Sequence, residues 1–339
     1  MTQIRVLGPD TCVRDGSRDL ERASDASKLA APASARYRPP VLGDAVLFHV
    51  NLNVSRLDAS RSFYVDGLGF AEGTRTAPER PQEGSAFALD TAWWDAWILT
   101  GRTGFDGGVL DILQWRAPEP IGHPPVQYAT TGYQRLGVGV SDLRASTTAL
   151  VAAGGLVWSE PIVHSSDLAP EVLIVHASDP DGIGLELFEG KGPQLAFVSV
   201  VCADLERSVG WYERLGFRQV ARFPSAGSDG SALHIAGGYE FEEVLMRPPG
   251  GGAASVMLVG FANPAPIVDA PRAANTLGIW RVAYLVADLD ERCAAIRAAG
   301  IALLSAPVTM AMGAGLPELR FVCVRGPDGE VLELIERPV

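Results

Sequence analysis

Four short segments of the chain alternate apolar and polar residues in the same way. They begin at residues 49, 135, 197 and 281 and read HVNLNVSRL, RLGVGVSDL, FVSVVCADL and RVAYLVADL. Alternation with period two is typical of a half-buried β-strand, and each segment runs into a stretch compatible with a helix. The pattern predicts helices over residues 57–64, 143–153, 205–214 and 289–299. Each segment therefore opens a module of one strand, one helix and further strands.

Two longer matches indicate that the modules are duplicated in pairs. SFYVDGLGF at 62–70 resembles GWYERLGF at 210–217, and DPDGIGLELFEG at 179–190 resembles GPDGEVLELIE at 326–336. The first and third segments are 148 residues apart, and the second and fourth are 146 apart. Asp-Gly pairs are hairpin turn signals, so each module is expected to be a β-α-β-β-β unit. The predicted fold class is α+β.

Chain length and the repeats together predict two domains. At 339 residues the chain suits two domains of roughly 150 residues each. Residues 1–40 lack periodicity and are expected to be an N-terminal extension, either a mobile tail or an arm packed on a neighbouring subunit. Residues 41–192 and 193–339 are expected to be the two domains.

Charge and composition exclude several classes of partner. The net charge is −12, and no stripe of Lys and Arg could neutralise a phosphate backbone, so nucleic acid is not an expected partner. No apolar run approaches the roughly 18 residues of a membrane span. The cysteines are far apart, which favours reduced thiols and a cytoplasmic location; they are Cys12, Cys202, Cys293 and Cys323.

The repeated nonapeptides, the FY…LGF helix exit and the DPDG…LELFE strand together resemble the vicinal-oxygen-chelate superfamily. That superfamily includes glyoxalase I, methylmalonyl-CoA epimerase, extradiol dioxygenases and bleomycin-resistance proteins. The resemblance covers residues 46–338. It implies four βαβββ modules forming two tandem glyoxalase-like domains that bind a small-molecule substrate. Fold alone does not specify the reaction.

The resemblance also implies where a site would lie. In the superfamily two modules enclose a cup, and metal ligands come from the first and last strands of each module. Carried over to this chain, the first two modules offer His49, Asp111, Arg135 and Glu186, and the last two offer Phe197, Met257, Arg281 and Glu333. The first set is the more polar one. Residues 41–192 are therefore expected to be the active half, and residues 193–339 a degenerate, structural half.

Residues around the first strand support this assignment independently. Side chains two apart share a face, so His49, Asn51 and Asn53 should lie together. We expect a divalent metal ion (Zn, Mn, Ni or Fe) on His49, Asp111 and Glu186. Arg135 cannot ligate a metal because its guanidinium stays protonated. It is expected either to clamp a substrate oxyanion or to form a structural salt bridge with Glu186, which Arg281 and Glu333 would repeat.

The function expected from this site is that of an isomerase, epimerase or lyase acting on a carbonyl or vicinal-oxygen substrate. Catalysis is assigned to His49, Arg135 and Glu186, and substrate binding to Asn51, Asn53, Trp93 and Arg135. The reaction is expected to be metal-assisted, or metal-free with Arg135 stabilising an enolate. Epimerisation of a cyclitol ketone in secondary metabolism is one example.

Two other functions remain open. One is a non-catalytic binding protein of the bleomycin-resistance type, and the other is an extradiol-type dioxygenase. Modules one and two could close their own cup or pair with modules of another subunit. A homodimer is therefore among the expected assemblies.

Overall fold

A computed structural model describes residues 40–166 and 169–337. Except for Pro40, the predicted N-terminal extension, which includes Cys12, lies outside the described residues. All four predicted strand-helix segments are present. The α+β class and the four modules predicted from the repeats are confirmed.

The first two modules contain ten strands and two helices. Module 1 comprises β1 (Val46–Asn53), α1 (Leu57–Ser62), a π-helical turn (Phe63–Gly67), β2 (Ala71–Thr76), β3 (Gln82–Glu83), β4 (Thr91–Thr100) and β5 (Val109–Ala117), with short 3₁₀ turns at Ser85–Phe87 and Phe105–Gly107. Module 2 comprises β6 (Gly132–Val140), α2 (Leu143–Ala152), β7 (Leu156–Val157), β8 (Ile162–Ser166), β9 (Ala169–Ser178) and β10 (Gly184–Glu189).

The last two modules follow the same order with fewer short strands. Module 3 comprises β11 (Gln194–Cys202), α3 (Leu205–Leu215), β12 (Arg218–Gly227), a 3₁₀ turn (Ser231–Leu233), β13 (Tyr239–Arg247) and β14 (Ser255–Asn263). Module 4 comprises β15 (Gly278–Val286), α4 (Leu289–Ala298), β16 (Val308–Met310), β17 (Leu319–Arg325) and β18 (Val331–Glu336).

Strand pairing joins the modules in an order that the repeats did not predict. One sheet runs β16-β17-β18-β15-β1-β5-β4-β2, so it combines modules 1 and 4, and β3 pairs with β4. The other runs β12-β13-β14-β11-β6-β10-β9-β7 and combines modules 2 and 3, with β8 on β9. The sequence left open whether modules 1 and 2 close one cup; in the structure they do not, because β1 pairs antiparallel with β15 and β6 with β11.

Local sequence explains where three of the four helices begin. The Asp of each SDL or ADL motif is the N-cap, and its side chain accepts a hydrogen bond from the backbone N–H three residues later; these residues are Asp142, Asp204 and Asp288. The first segment has Arg56 at this position, which makes no side-chain cap. No helix among the described residues is long and apolar enough to cross a membrane.

The two faces of each first strand enter different cores. Val50 and Leu52 of β1, with Leu136 and Val138 of β6, belong to the largest apolar cluster, which contains residues of all four modules and of the helices. The alternate residues of the same strands face the inside of each curved sheet, where two smaller apolar clusters lie. Strand alternation thus sends one face into the main core and leaves the other for a cavity.

Glu330 is an exception in this main core. Its Oε2 accepts a hydrogen bond from Asp328 N at 2.9 Å, whereas Oε1 has no partner among the described residues, like the hydroxyls of Tyr212 and Tyr284. Burial, followed by the charge of Asp328, raises the pKa of Glu330 to about 8. Between the ordinary pKa of a glutamate and about pH 8, Glu330 is therefore protonated in the folded protein and ionised in the unfolded chain.

Glu330→Gln is expected to remove part of the pH dependence of stability. Because the folded-state pKa is raised, wild-type stability at this site is greatest below about pH 4 and falls as pH rises towards 8. The variant should equal wild type near pH 5 and exceed it by about 1–3 kcal/mol at pH 9. Urea unfolding at both pH values measures the difference. Glu318→Gln, at an exposed position, is the control, and an equal change in the two variants would contradict the prediction.

Candidate functional site

The concave face of the sheet formed by modules 1 and 4, which we call cup A, surrounds a cavity of about 260 Å³. Its walls are largely apolar and come from both modules; they include Phe48, Phe87, Trp94, Ile98, Met312 and Phe321. Three polar side chains at its floor also line it, namely His49 of β1, Asp111 of β5 and Arg281 of β15. Glu333 of β18 completes this floor.

Arg281 holds the two carboxylates of the floor together. Its Nε donates to Oε2 of Glu333 at 2.8 Å, and its Nη2 donates to Oδ2 of Asp111 at 3.1 Å. Its guanidinium carbon lies 5.2 Å from the centre of the Phe87 ring. Nη1 has no hydrogen-bond partner among the described residues. The guanidinium thus neutralises one carboxylate charge and keeps one donor free.

These ion pairs control the charge of Glu333. Burial alone raises the pKa of this carboxyl group, but the charge of Arg281 and the contacts with His49 outweigh it and hold the pKa at about 2. Burial lowers the pKa of Arg281, and the charges of Glu333 and Asp111 outweigh that effect and raise it. Both groups are therefore ionised throughout the physiological range.

His49 is the least satisfied polar group of the floor. Its Nε2 lies 3.2 Å from Oε2 of Glu333 and 3.7 Å from Oδ2 of Asp111. Neither ring nitrogen makes a hydrogen bond of good geometry to any residue in the described part of the chain. Because Nε2 faces two carboxylates, which only accept, Nε2 is the ring nitrogen placed to donate to them, which leaves Nδ1 for other partners.

Asn51 and Asn53 make hydrogen bonds that hold Asp111 and strand β1 in position. The Nδ2 of Asn51 donates to Oδ2 of Asp111 at 3.2 Å. Asn53 donates to the carbonyls of Ala274 and Thr276 at 2.7 and 2.8 Å and accepts from the indole of Trp115 at 3.0 Å. Both side chains are fully buried, and neither lines the cavity. They are positioned to orient Asp111 and β1.

The floor of cup A does not fit a divalent metal ion. His49, Asp111 and Glu333 supply one imidazole and two carboxylates, but Arg281 already donates to one oxygen of each carboxylate. A metal would have to displace a cation that cannot lose its proton. No group of three His, Cys, Asp or Glu side chains suited to a metal occurs within residues 40–166 and 169–337. The positive charge of this site is a guanidinium.

The concave face of the other sheet, formed by modules 2 and 3, is called cup B and surrounds a cavity of about 390 Å³. Arg135 of β6 holds the position that Arg281 holds in cup A, but its contacts differ. Its Nη1 donates to Nδ1 of His176 at 2.8 Å, and its guanidinium carbon lies 3.8 Å from the centre of the Tyr128 ring. Glu186 and Glu243 line this cavity, and Arg135 does not.

The charges of cup B are less well compensated than those of cup A. Burial, followed by the charge of Arg135, lowers the pKa of His176 well below its ordinary value, so the ring is neutral. Burial raises the pKa of Glu186 against the opposing effect of Arg135. Burial and the neighbouring charge of Glu186 raise the pKa of Glu243 to about 8.

The residues expected to form one metal site are therefore divided between two cups. His49 and Asp111 lie together in cup A, whereas Glu186 lies in cup B, because modules 1 and 2 belong to different sheets. In cup A the last-strand carboxylate is Glu333. The expected salt bridge exists for Arg281 and Glu333, but Arg135 contacts His176 instead of ion-pairing with Glu186.

Trp93, expected to bind substrate, does not line the cavity of cup A. Strand β4 has an irregularity between Trp93 and Trp94, and it is Trp94 that lines the cavity of cup A. Trp93 donates from its indole to the carbonyl of Pro78 at 2.8 Å and lies under the guanidinium of Arg116. Its role is therefore one of packing outside the cavity.

Sequence reasoning missed two residues of cup B, His176 and Glu243. A signal existed for the first, since the Asp-Gly turn between β9 and β10 sets His176 opposite Glu186 in the ladder. Glu243 carries no such signal, because its neighbour Glu242 is equally polar and only the register of β13 decides which of the two faces the cavity.

Comparisons with solved structures agree with this architecture. Crystal structures of glyoxalase I from Zea mays align with a TM-score of 0.61 at 18% identity, covering 86% of this chain and 92% of that one. A putative dioxygenase from Bacillus subtilis aligns with a TM-score of 0.56 at 12% identity, covering 89% and 87%. At these identities the likeness shows the fold alone. A comparison with curated proteins gives no match.

A family profile matches the chain twice, over residues 46–187 and 194–334. The two matches cover most of the chain and include all or part of every strand that forms cups A and B. The chain therefore belongs to the Glyoxalase/Bleomycin resistance protein/Dioxygenase superfamily.

Proposed function

We propose that the chain is an enzyme that transfers a proton at the carbon next to a carbonyl group, without a metal ion, in cup A. The reaction class is that of an isomerase, epimerase or lyase. The observation that carries the proposal is the imidazole of His49, whose Nδ1 has no hydrogen-bond partner among the described residues and which lines the cavity beside the guanidinium of Arg281. A base and a fixed cation side by side are what enolisation needs.

His49 is the proposed base. Glu333 and Asp111 favour a proton on Nε2, so Nδ1 is the nitrogen that takes a proton from the substrate carbon. The C–H bond breaks, its electron pair moves to form an enolate, and the imidazolium gains stabilisation from the two carboxylates. If the enolate turns over in the cavity, return of the proton from His49 to its other face gives an epimer; return to another carbon gives an isomer.

Arg281 is the proposed partner of the enolate oxygen. Its Nη1 is a free donor, and the ion pairs through Nε and Nη2 hold the guanidinium in place before the substrate arrives. A donor that is already oriented in a water-poor site stabilises developing charge without reorganisation. In this role Arg281 replaces the metal ion that the sequence led us to expect, and Arg135 does not take part.

The walls of cup A define the substrate class. Phe87, Trp94 and Phe321 surround the floor, and the cavity of about 260 Å³ suits a single ring with a short side chain. A carbonyl compound with an aromatic or alicyclic ring fits this environment better than a polyhydroxylated cyclitol ketone. We also retain, as proposals from composition and resemblance, a cytoplasmic location and a homodimer.

Deuterium exchange tests the proposal without knowledge of the natural substrate. Phenylpyruvate, 1-phenyl-2-propanone and 2-phenylcyclohexanone are incubated with the protein in D₂O, and loss of the α-proton signal is followed by NMR. We expect catalysed exchange of at least one compound, unaffected by EDTA, and a decrease of roughly 100-fold or more in His49→Gln. The control variant His123→Gln changes an exposed histidine that does not line cup A, and it should catalyse exchange as wild type does.

A non-catalytic binding protein is the second candidate. It is favoured by the pairing of Arg281 with both carboxylates, which gives a stable floor even without chemistry. In that case saturation-transfer NMR would show the same compounds bound in cup A, with exchange no faster than in buffer. Exchange that persists in His49→Gln would also contradict the proposed base.

A further inference from the structure

Cup B contains a second cavity that the proposed function does not use. Its volume of about 390 Å³ exceeds that of cup A, and aromatic rings form much of its wall; they include Tyr128, Phe188, Phe197, Phe223, Tyr239 and Phe241. The Tyr239 and Phe241 rings are stacked with their centres 5.3 Å apart. Such a wall can hold a ring or an organic cation.

Two of the polar groups that line this cavity are carboxyl groups. Glu186 enters from β10 and Glu243 from β13, on opposite sides of β6, β11 and β14 in the sheet. The cation of the cup, Arg135, does not line the cavity. Its guanidinium packs against the Tyr128 ring, and its Nη1 donates a hydrogen bond to His176. A ligand therefore meets carboxyl groups and no guanidinium.

His176 adds one donor with a defined direction. The residue is only 6% exposed, and its Nδ1 accepts from Arg135, which can only donate. The proton of the neutral ring is thus on Nε2, which has no hydrogen-bond partner in the described part of the chain, on a ring that lines the cavity. Nε2 is not among the fully buried unpartnered atoms of the described residues, so this N–H can be reached from the cavity and can donate to a ligand oxygen.

We propose that cup B is a second ligand site and that it binds a hydrophobic amine that carries a hydroxyl, ether or carbonyl oxygen. The ammonium group lies between Glu186 and Glu243, the oxygen accepts from Nε2 of His176, and the apolar part packs against the aromatic wall. Cup B has no base next to a free cation as cup A does, so this site recognises its ligand without proton transfer to carbon.

Proton release accompanies this binding. With its pKa near 8, Glu243 is largely protonated at neutral pH, and a bound ammonium group favours the ionised form. The titratable and charged residues around it are Glu186, Arg135, His164, His176, Tyr128 and Tyr239. Amine affinity therefore rises between pH 6 and pH 8, while the amine itself remains protonated.

Three compounds that differ in one group test the site by titration calorimetry on the full chain. They are 2-amino-1-phenylethanol, the neutral 1-phenyl-1,2-ethanediol and the anion mandelate. We expect the amine to bind at least about tenfold more tightly than the diol and mandelate not to bind, since hydrogen bonds to charged groups are the stronger ones. In buffers of different ionisation enthalpy the amine should release a proton.

Variants on one strand provide the matched control. Glu243→Gln should lower amine affinity about tenfold or more and remove its rise with pH, whereas Glu242→Gln should bind as wild type does. Glu242 is adjacent in sequence but pairs with Arg222 at 2.8 Å and does not line the cavity. Equal binding of amine and diol, or equal losses in the two variants, would overturn the proposal. Neither result depends on activity in cup A.

Discussion

Arg281→His is expected to turn the floor of cup A into a divalent metal site. The change removes the cation that pairs with Asp111 and Glu333 and adds a second imidazole beside His49. Two imidazoles and two carboxylates at the floor form a donor set that suits zinc or nickel. The affinity for the metal ion should rise by at least about 100-fold. Loss of a residue that only hydrogen-bonds to a metal ligand already changes metal affinity by roughly 10–100-fold.

Metal analysis of protein purified without a metal-affinity tag measures this effect. After dialysis against micromolar zinc or nickel, wild type should hold no stoichiometric metal, and the variant about one equivalent. Arg281→Gln removes the same charge without adding a good metal ligand, so it should bind much less metal than Arg281→His. One equivalent of metal in wild type, lost in His49→Ala, would show instead that Arg281 yields to a metal ion held by His49.

The local elements of the fold were predictable because their causes are local. Period-two alternation predicted the four first strands, and the Asp before Leu in three of the four segments caps the helix that follows. The first helix was predicted over 57–64, but its α-helical part ends at Ser62 and a π-helical turn follows. Arg56 provides no side-chain cap for this helix. The pattern of apolar residues does not distinguish the π-helical turn from a continued α-helix.

The pairing of modules could not be predicted in the same way. The contacts of β1 with β15 and of β6 with β11 join residues that are far apart in the chain, and every first strand offers a similar edge. Position in the repeat therefore identified Arg281 and Glu333 as equivalents of Arg135 and Glu186 but not as neighbours of His49. Asp111 does lie beside His49, because β1 and β5 are parallel neighbours within one module.

The two equivalent arginines, Arg281 and Arg135, differ in their contacts. Arg281 and Arg135 occupy the same position of two modules and are both almost fully buried, but only Arg281 makes ion pairs with carboxylates in the described structure. Breaking a buried ion pair by removing one partner leaves an uncompensated charge, which costs more than the pair itself contributes. The two positions should therefore respond differently to the same substitution.

Arg281→Leu is expected to lower the free energy of unfolding by about 3–5 kcal/mol at pH 7. Arg135→Leu should cost about 1–2 kcal/mol, the effect of a lost hydrogen bond and of lost stacking on Tyr128. Urea unfolding monitored by tryptophan fluorescence measures both. If both variants lost the same free energy of unfolding, the charges of Asp111 and Glu333 would not need compensation by Arg281.

The pH dependence of Arg281→Leu separates charge from packing. In wild type the pKa of Glu333 is about 2, below its ordinary value, so its contribution is present above pH 4–5 and is lost as pH falls towards 2. Without Arg281, burial becomes the dominant effect and raises that pKa, so the variant gains stability as pH falls from 7 to 5. The gap to wild type should therefore narrow at pH 5, whereas a packing defect would leave it unchanged. If Arg281→Leu does not fold at pH 7, adding Asp111→Asn and Glu333→Gln should restore folding, because the uncompensated charges are then gone.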